Sequence, residues 1–127
     1  MLPETGFETR IFIGGALDEL TTRWENKICI VTFDGKLTYP IKEDLKQYFS
    51  TLIKKEFQGL IFNGKKTAPI DSSGFGFLIS TQKQLHQNQI KFVICELQSV
   101  VLKHFFAMQI EKTIPLFATE EEALKFF

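Results

Sequence analysis

The chain has 127 residues, 44% of them hydrophobic and 14 of them Phe, and its 15 Lys plus Arg balance 15 Asp plus Glu. That length buries a real core without disulfides or a structural metal. A net charge of zero argues against nucleic acid or an anionic membrane as the main partner, because both select an excess of positive charge.

Residues 1–26 carry the weakest pattern. Arg10 to Ile13 reads as a first strand closed by Gly14-Gly15, while Ala16 to Asn26 fits either a short helix or an alternative place for that same strand. The opening Met1-Leu2-Pro3-Glu4-Thr5-Gly6 has neither the basic flank nor the apolar stretch of a signal peptide. No run of about 20 apolar residues is present to span a bilayer, so the expectation is a cytoplasmic protein with no membrane insertion. From Lys27 onward the pattern sharpens. Ile28 to Phe33 is a β-branched, apolar run stopped by the turn dipeptide Asp34-Gly35. Pro40 can occupy a first helical turn, and Ile41, Leu45, Tyr48, Phe49, Leu52 and Ile53 then recur at spacings of three and four up to Lys55. Gly59 to Asn63 reads as a buried strand and Gly64 to Ile70 as a loop. A helix follows from near Ser72 to Asn88. Lys91 to Cys95 is a further strand, Ser99 to Met108 a helix with Val101, Leu102, Phe105 and Met108 on its apolar side, and Ile114 to Phe117 a short strand. Thr119-Glu120-Glu121-Glu122 has the form of a capping box opening a last helix to Phe127.

The stretch Asp71-Ser72-Ser73-Gly74 concentrates the functional signal. Asp and Ser side-chain oxygens accept hydrogen bonds from the free N–H groups of a first helical turn, and Pro69 biases Ala68 towards an extended backbone. Taken alone, the tetrapeptide is a capping sequence. Beyond it Phe75, Leu78, Ile79 and Leu85 fall on one helical face, with Gln82 the polar exception, and the wheel sets Phe77 on the opposite side. An exposed Phe77 would serve as a contact anchor. Gly74 and Gly76 each cost a helix about 1 kcal/mol relative to Ala, so their presence suggests close approach of another backbone or of a partner. Two serine hydroxyls thus stand at a helix N-terminus, where the dipole tolerates a phosphate.

Other constellations are weak. Gly59 to Lys66 nearly matches G-x-x-x-x-G-K-[ST], but Lys66 replaces the magnesium-binding hydroxyl and the middle residues read as strand rather than loop. G-x-S-x-G is absent, and His86 and His104 fit surface roles rather than catalysis or metal binding. Cys29 and Cys95 lie in strands, where reduced thiols behave as small apolar side chains. Strands alternating with helices through short connections call for an α/β sheet domain with right-handed crossovers.

The element order and the string Ile70-Asp71-Ser72-Ser73-Gly74-Phe75-Gly76-Phe77-Leu78 together resemble a STAS domain, specifically the bacterial anti-sigma factor antagonists, from about residue 27 to the end. Ile61-Phe62-Asn63 before that string, Gly35-Lys36-Leu37, Glu96-Leu97 and the terminal Glu-Glu-Glu-Ala-Leu support the likeness. The resemblance implies a single domain with a core over 27–127, built on a four- to five-stranded, mostly parallel sheet with about four helices. It implies no enzyme activity, no catalytic residue, no cofactor and no metal. Ser72 takes the place of the family's phosphorylated serine. Unmodified protein would bind an anti-sigma factor, usually a serine kinase of the histidine-kinase-like ATPase type, phosphorylation would end the complex, and a serine phosphatase would reset it. Asp71, Ser72, Ser73, Gly74, Phe75, Gly76, Phe77 and Thr38 would form the contact region, in a monomer or weak dimer. Thr38 departs from the family, which often has Asp at that place. A second class of reading is a constitutive STAS subunit of a lipid-transport or stress-sensing assembly, with Ser72 only a helix cap.

Overall fold

In the computed structural model, which describes residues 2–13 and 18–127, the N-terminal pattern becomes a hairpin: β1 (Glu8–Ile13) lies antiparallel to β2 (Asp18–Glu25). Period-two burial of Leu20, Thr22 and Trp24 marks β2 as a half-covered strand. Both stretches are strands, Arg10 to Ile13 within β1 and Asp18–Glu25 as β2, where the sequence pattern called for one strand at either place. The expected stop at Gly14-Gly15 and the residues Ala16 and Leu17 lie outside the described residues. Asn26 adopts a φ of 56° in the tight turn into β3 (Ile28–Leu37), a conformation that Asn accepts more readily than most residues.

The remaining elements are α1 (Tyr39–Ile53), β4 (Gly59–Asn63), β5 (Thr67–Ile70), α2 (Ser72–Gln87), β6 (Lys91–Cys95), α3 (Ser99–Ala107), a 3-10 turn at Ile110–Lys112, β7 (Leu116–Phe117) and α4 (Glu120–Lys125). The sheet runs β1-β2-β3-β4-β6-β7, with β5 pairing the far end of β3. Pairs from β3 onward are parallel, whereas β1-β2 and β2-β3 are antiparallel. Seven strands appear where four or five were expected, because the hairpin and β5 join the sheet.

β5 also explains two local departures. Residues 64–70 contain this strand rather than loop alone, and Asp34-Gly35 does not stop β3. Gly35 instead pairs with Thr67 and Leu37 with Ile70 across a register shift, and the buried Thr67 hydroxyl donates to the Phe33 carbonyl at 2.6 Å. Backbone bonds to a strand distant in sequence thus outweigh the turn preference of an Asp-Gly pair.

The sheet separates two cores. Residues of α1, α2 and α3 close over one face, including Leu45, Phe49, Phe75, Phe77, Leu78, Val101 and Phe105. Ala123 of α4 closes the other over Ile28, Ile30, Ile61 and Val93. Strands β4 and β6 are covered on both faces and so read as continuous apolar runs. Cys29 belongs to the first core and Cys95 to the second, which leaves both thiols free and buried. Burial pushes each up to about 12, with Glu96 and Glu120 adding to the effect at Cys95. Met108, expected on the apolar side of α3, is exposed instead: the helix ends at Ala107, and Met108 is its C-cap.

Candidate functional site

The site is built where β3 ends, α1 begins and β5 hands over to α2. Asp71 is the N-cap of α2, and its Oδ1 accepts from Gly74 N at 2.8 Å. Its other oxygen, Oδ2, accepts from Tyr39 N at 3.1 Å, the first residue of α1. One carboxylate therefore caps two helices. Thr38, at the N-cap position of α1, makes no side-chain cap bond. The backbone secures the junction as well, since Asp71 N donates to Leu37 O at 3.2 Å.

With capping assigned to Asp71, Ser72 carries no such duty. It is the first helical residue and exposed, and its hydroxyl makes no hydrogen bond among the described residues. Ser73 is half-buried. The two glycines differ sharply. A Cβ on Gly74 would overlap the Leu37 carbonyl oxygen and lie 2.8 Å from Ile70 Cγ2, so here another backbone does approach closely. Gly76 is exposed with nothing within 4 Å of such a Cβ. The expectation of close approach within the fold holds for Gly74 and fails for Gly76.

Phe77 requires a correction. It is 3% exposed and packs edge-on against Phe49 of α1, with ring centroids 5.2 Å apart. The buried stripe of α2 runs through Gly74, Phe77, Leu78, Thr81 and Leu85, with Phe75 beside it. The face read from the sequence, Phe75, Leu78, Ile79 and Leu85, is buried or packed on the core, and burial extends round to Gly74, Phe77 and Thr81 because α2 is covered by α1 as well as by the sheet. Phe77 is thus a core residue. What the site displays is Ser72 and Gly76, the exposed ring of Tyr39, and a cleft of about 320 Å³ lined by Ile70, Phe75, His104, Ala107 and Met108 beside Asp71 and Ser72.

A second polar cluster joins Arg23, Asn63, Glu96 and Glu120, residues far apart in the sequence. Glu120 of α4 accepts from Asn63 Nδ2 at 3.1 Å through Oε1 and from Arg23 through Oε2, while its backbone N donates to Glu96 Oε2 at 2.8 Å. Burial alone would lower the Arg23 pKa, but the hydrogen bond to Glu120 together with the charges of Glu120, Glu25 and Glu8 outweighs it and holds the guanidinium above its usual range. Thr119 makes its half of the capping box, its hydroxyl accepting from Glu122 N at 3.1 Å. This cluster ties α4 to β2, to the end of β4 and to the residue that follows β6, and is structural. Glu120→Ala should lower unfolding stability by about 2 kcal/mol, since it strips a partner from part-buried donors, and Glu120→Gln by less. Urea denaturation measures both, and an unchanged midpoint for the Ala variant would deny the cluster that role.

Comparison with protein families matches the STAS domain over residues 19–123. Among solved structures, an anti-sigma factor antagonist from Mycobacterium paratuberculosis has a TM-score of 0.72 at 16% identity, covering 98% of this chain and 97% of that one. The anti-sigma factor antagonist SpoIIAA in its unphosphorylated form gives 0.71 at 21% identity, covering 83% and 92%. SpoIIAA of Bacillus in its phosphorylated form gives 0.65 at 20%, covering 84% and 96%. A sulfate transporter family protein from Wolinella succinogenes gives 0.70 at 13%, covering 80% and 84%. At such identities the likeness is one of fold.

Proposed function

We propose, because this chain belongs to the STAS domain family, that it acts as an anti-sigma factor antagonist in a partner switch controlled at Ser72. The carrying observation is the division of labour between neighbours: Asp71 does the capping, and the exposed Ser72 hydroxyl is left without a structural task. A serine that served only as a cap would hold the bond that Asp71 holds. The likeness to an antagonist solved in phosphorylated and unphosphorylated forms supports the same reading.

The switch is then electrostatic. Phosphate adds about −1.5 to −2 charges and three acceptor oxygens. Placed on the first residue of α2, it meets the positive end of a helix dipole, so the fold tolerates it. The cost falls on the complex, where an unpaired charge is desolvated against the partner. The recognition surface comprises Ser72, Gly76 and Tyr39 with the adjoining cleft, and the partner is an anti-sigma factor with serine kinase activity. No helix is long and apolar enough to cross a membrane among the described residues.

Incubation of the purified chain with ATP and a serine kinase encoded beside it tests the proposal. Intact-mass and peptide mass spectrometry should place one phosphate on Ser72 and none on Ser72→Ala. If Ser72 stays unmodified while the chain still binds that kinase, the constitutive-subunit reading takes over; the likeness to a transporter-family protein keeps it in view.

A further inference from the structure

Strand β1 forms one edge of the sheet and pairs only with β2 among the described residues. It is poorly covered: Glu8, Thr9 and Arg10 are exposed, as are the rings of Phe7 (50%) and Phe12 (63%). An open edge beside exposed aromatics is a template for another strand. We infer that this edge pairs antiparallel with β1 of a second copy of the chain, about a two-fold axis through Thr9.

The register follows from backbone direction and charge. Trp24 N donates to Phe7 O. By alternation the Phe7 carbonyl and the backbone groups of Thr9, Ile11 and Ile13 turn towards β2, with Phe7 N donating to Glu4 O instead, while Glu8, Arg10 and Phe12 turn theirs to the open edge. In a symmetric antiparallel pair, outward residues must oppose outward residues, so the axis passes through a single strand position. An axis at Glu8 or Arg10 sets like charges opposite each other, which destabilises the pair. At Ile11 it sets Arg10 against Phe12 and leaves Glu8 beyond the end of the strand. At Thr9 it sets Glu8 against Arg10 of the second copy, twice, on one face, and Phe7 against Ile11, twice, on the other. An axis at Phe12 leaves Glu8 and Arg10 without an opposite charge; only the register at Thr9 sets Glu8 against Arg10 and Phe7 against Ile11, with Phe12 opposite Gly6.

Glu8 and Arg10 approach to 3.4 Å within one copy, and Glu19 lies 3.9 Å from Arg10, so the dimer adds two cross-strand Glu8–Arg10 pairs to charges already grouped on this face. An uncharged strand arriving at the same edge would leave that pair facing apolar groups. The charges that deter a general partner thus select a copy of the chain itself.

Sedimentation velocity over a concentration series tests this on the full chain. The wild type should show a monomer–dimer equilibrium. Glu8→Arg and Arg10→Glu should each weaken self-association by about tenfold or more, because each sets like charges opposite one another. An equimolar mixture of the two variants should dimerise, and the doubly swapped chain should recover the wild-type constant. A wild type that stays monomeric at every concentration, single variants that associate as the wild type does, or a mixture that fails to associate each overturns the inference. Circular dichroism checks that the variants fold, and should either single variant unfold, the doubly swapped chain decides alone.

Discussion

Ser72→Asp should lower affinity for the anti-sigma factor at least about a hundredfold, which is roughly 2.7 kcal/mol, and leave the melting temperature near that of the wild type. Both halves have one geometric cause. The new carboxylate sits on the first residue of α2, exposed, where a negative charge is favourable to the helix and where no buried neighbour must give way. In the proposed complex the same charge would lose its water without gaining a cation. Since Asp carries one charge and phosphoserine up to two, the substitution sets a lower bound on what modification does. Surface plasmon resonance with immobilised anti-sigma factor reads the first half, and thermal denaturation the second. Ser72→Ala should bind as the wild type does. Undiminished binding by Ser72→Asp would remove Ser72 from the interface and end the switch reading.

Gly74→Ala should have the opposite profile, a loss of fold stability of about 3 kcal/mol, at the upper end of what overpacking costs. Helix propensity alone favours Ala over Gly by about 1 kcal/mol. Here that gain is overwhelmed, because the added Cβ would overlap the Leu37 carbonyl, a backbone atom at the junction that Asp71 holds together. Opening that junction would weaken the caps of both α1 and α2 at once. Gly76→Ala is the matched control. Nothing lies within 4 Å of its Cβ, so it should gain about 1 kcal/mol of stability. Urea unfolding separates the two variants, and a Gly74→Ala chain as stable as Gly76→Ala would show that the close approach can relax. A Gly76→Ala chain that is more stable yet binds its partner less well would place the partner directly over this glycine.

Much of this was legible from neighbours in the chain. The strands from Ile28 onward other than β5, the start of α2 at Asp71 and the Thr119 cap depend on short-range periodicity and on side chains reaching backbone groups two or three residues away. The N-terminal hairpin was less legible, because β1 is mostly exposed and carries little apolar alternation. Strand β5 was hidden because a four-residue segment that contains a proline has no pattern of its own and becomes a strand only by pairing with β3.

At the site, the sequence alone determined that a helix begins at Asp71-Ser72 and that a serine stands at its mouth, since capping is a local matter. Tertiary structure decided which oxygen caps, that the same Asp71 also holds α1, and that Phe77 turns inward onto Phe49 rather than out to a partner. It also gathered Arg23, Asn63, Glu96 and Glu120 into one cluster. The physical reason is that periodicity reports how apolar residues are spaced around a helix, while the face that is buried depends on which elements, remote in sequence, come to cover it.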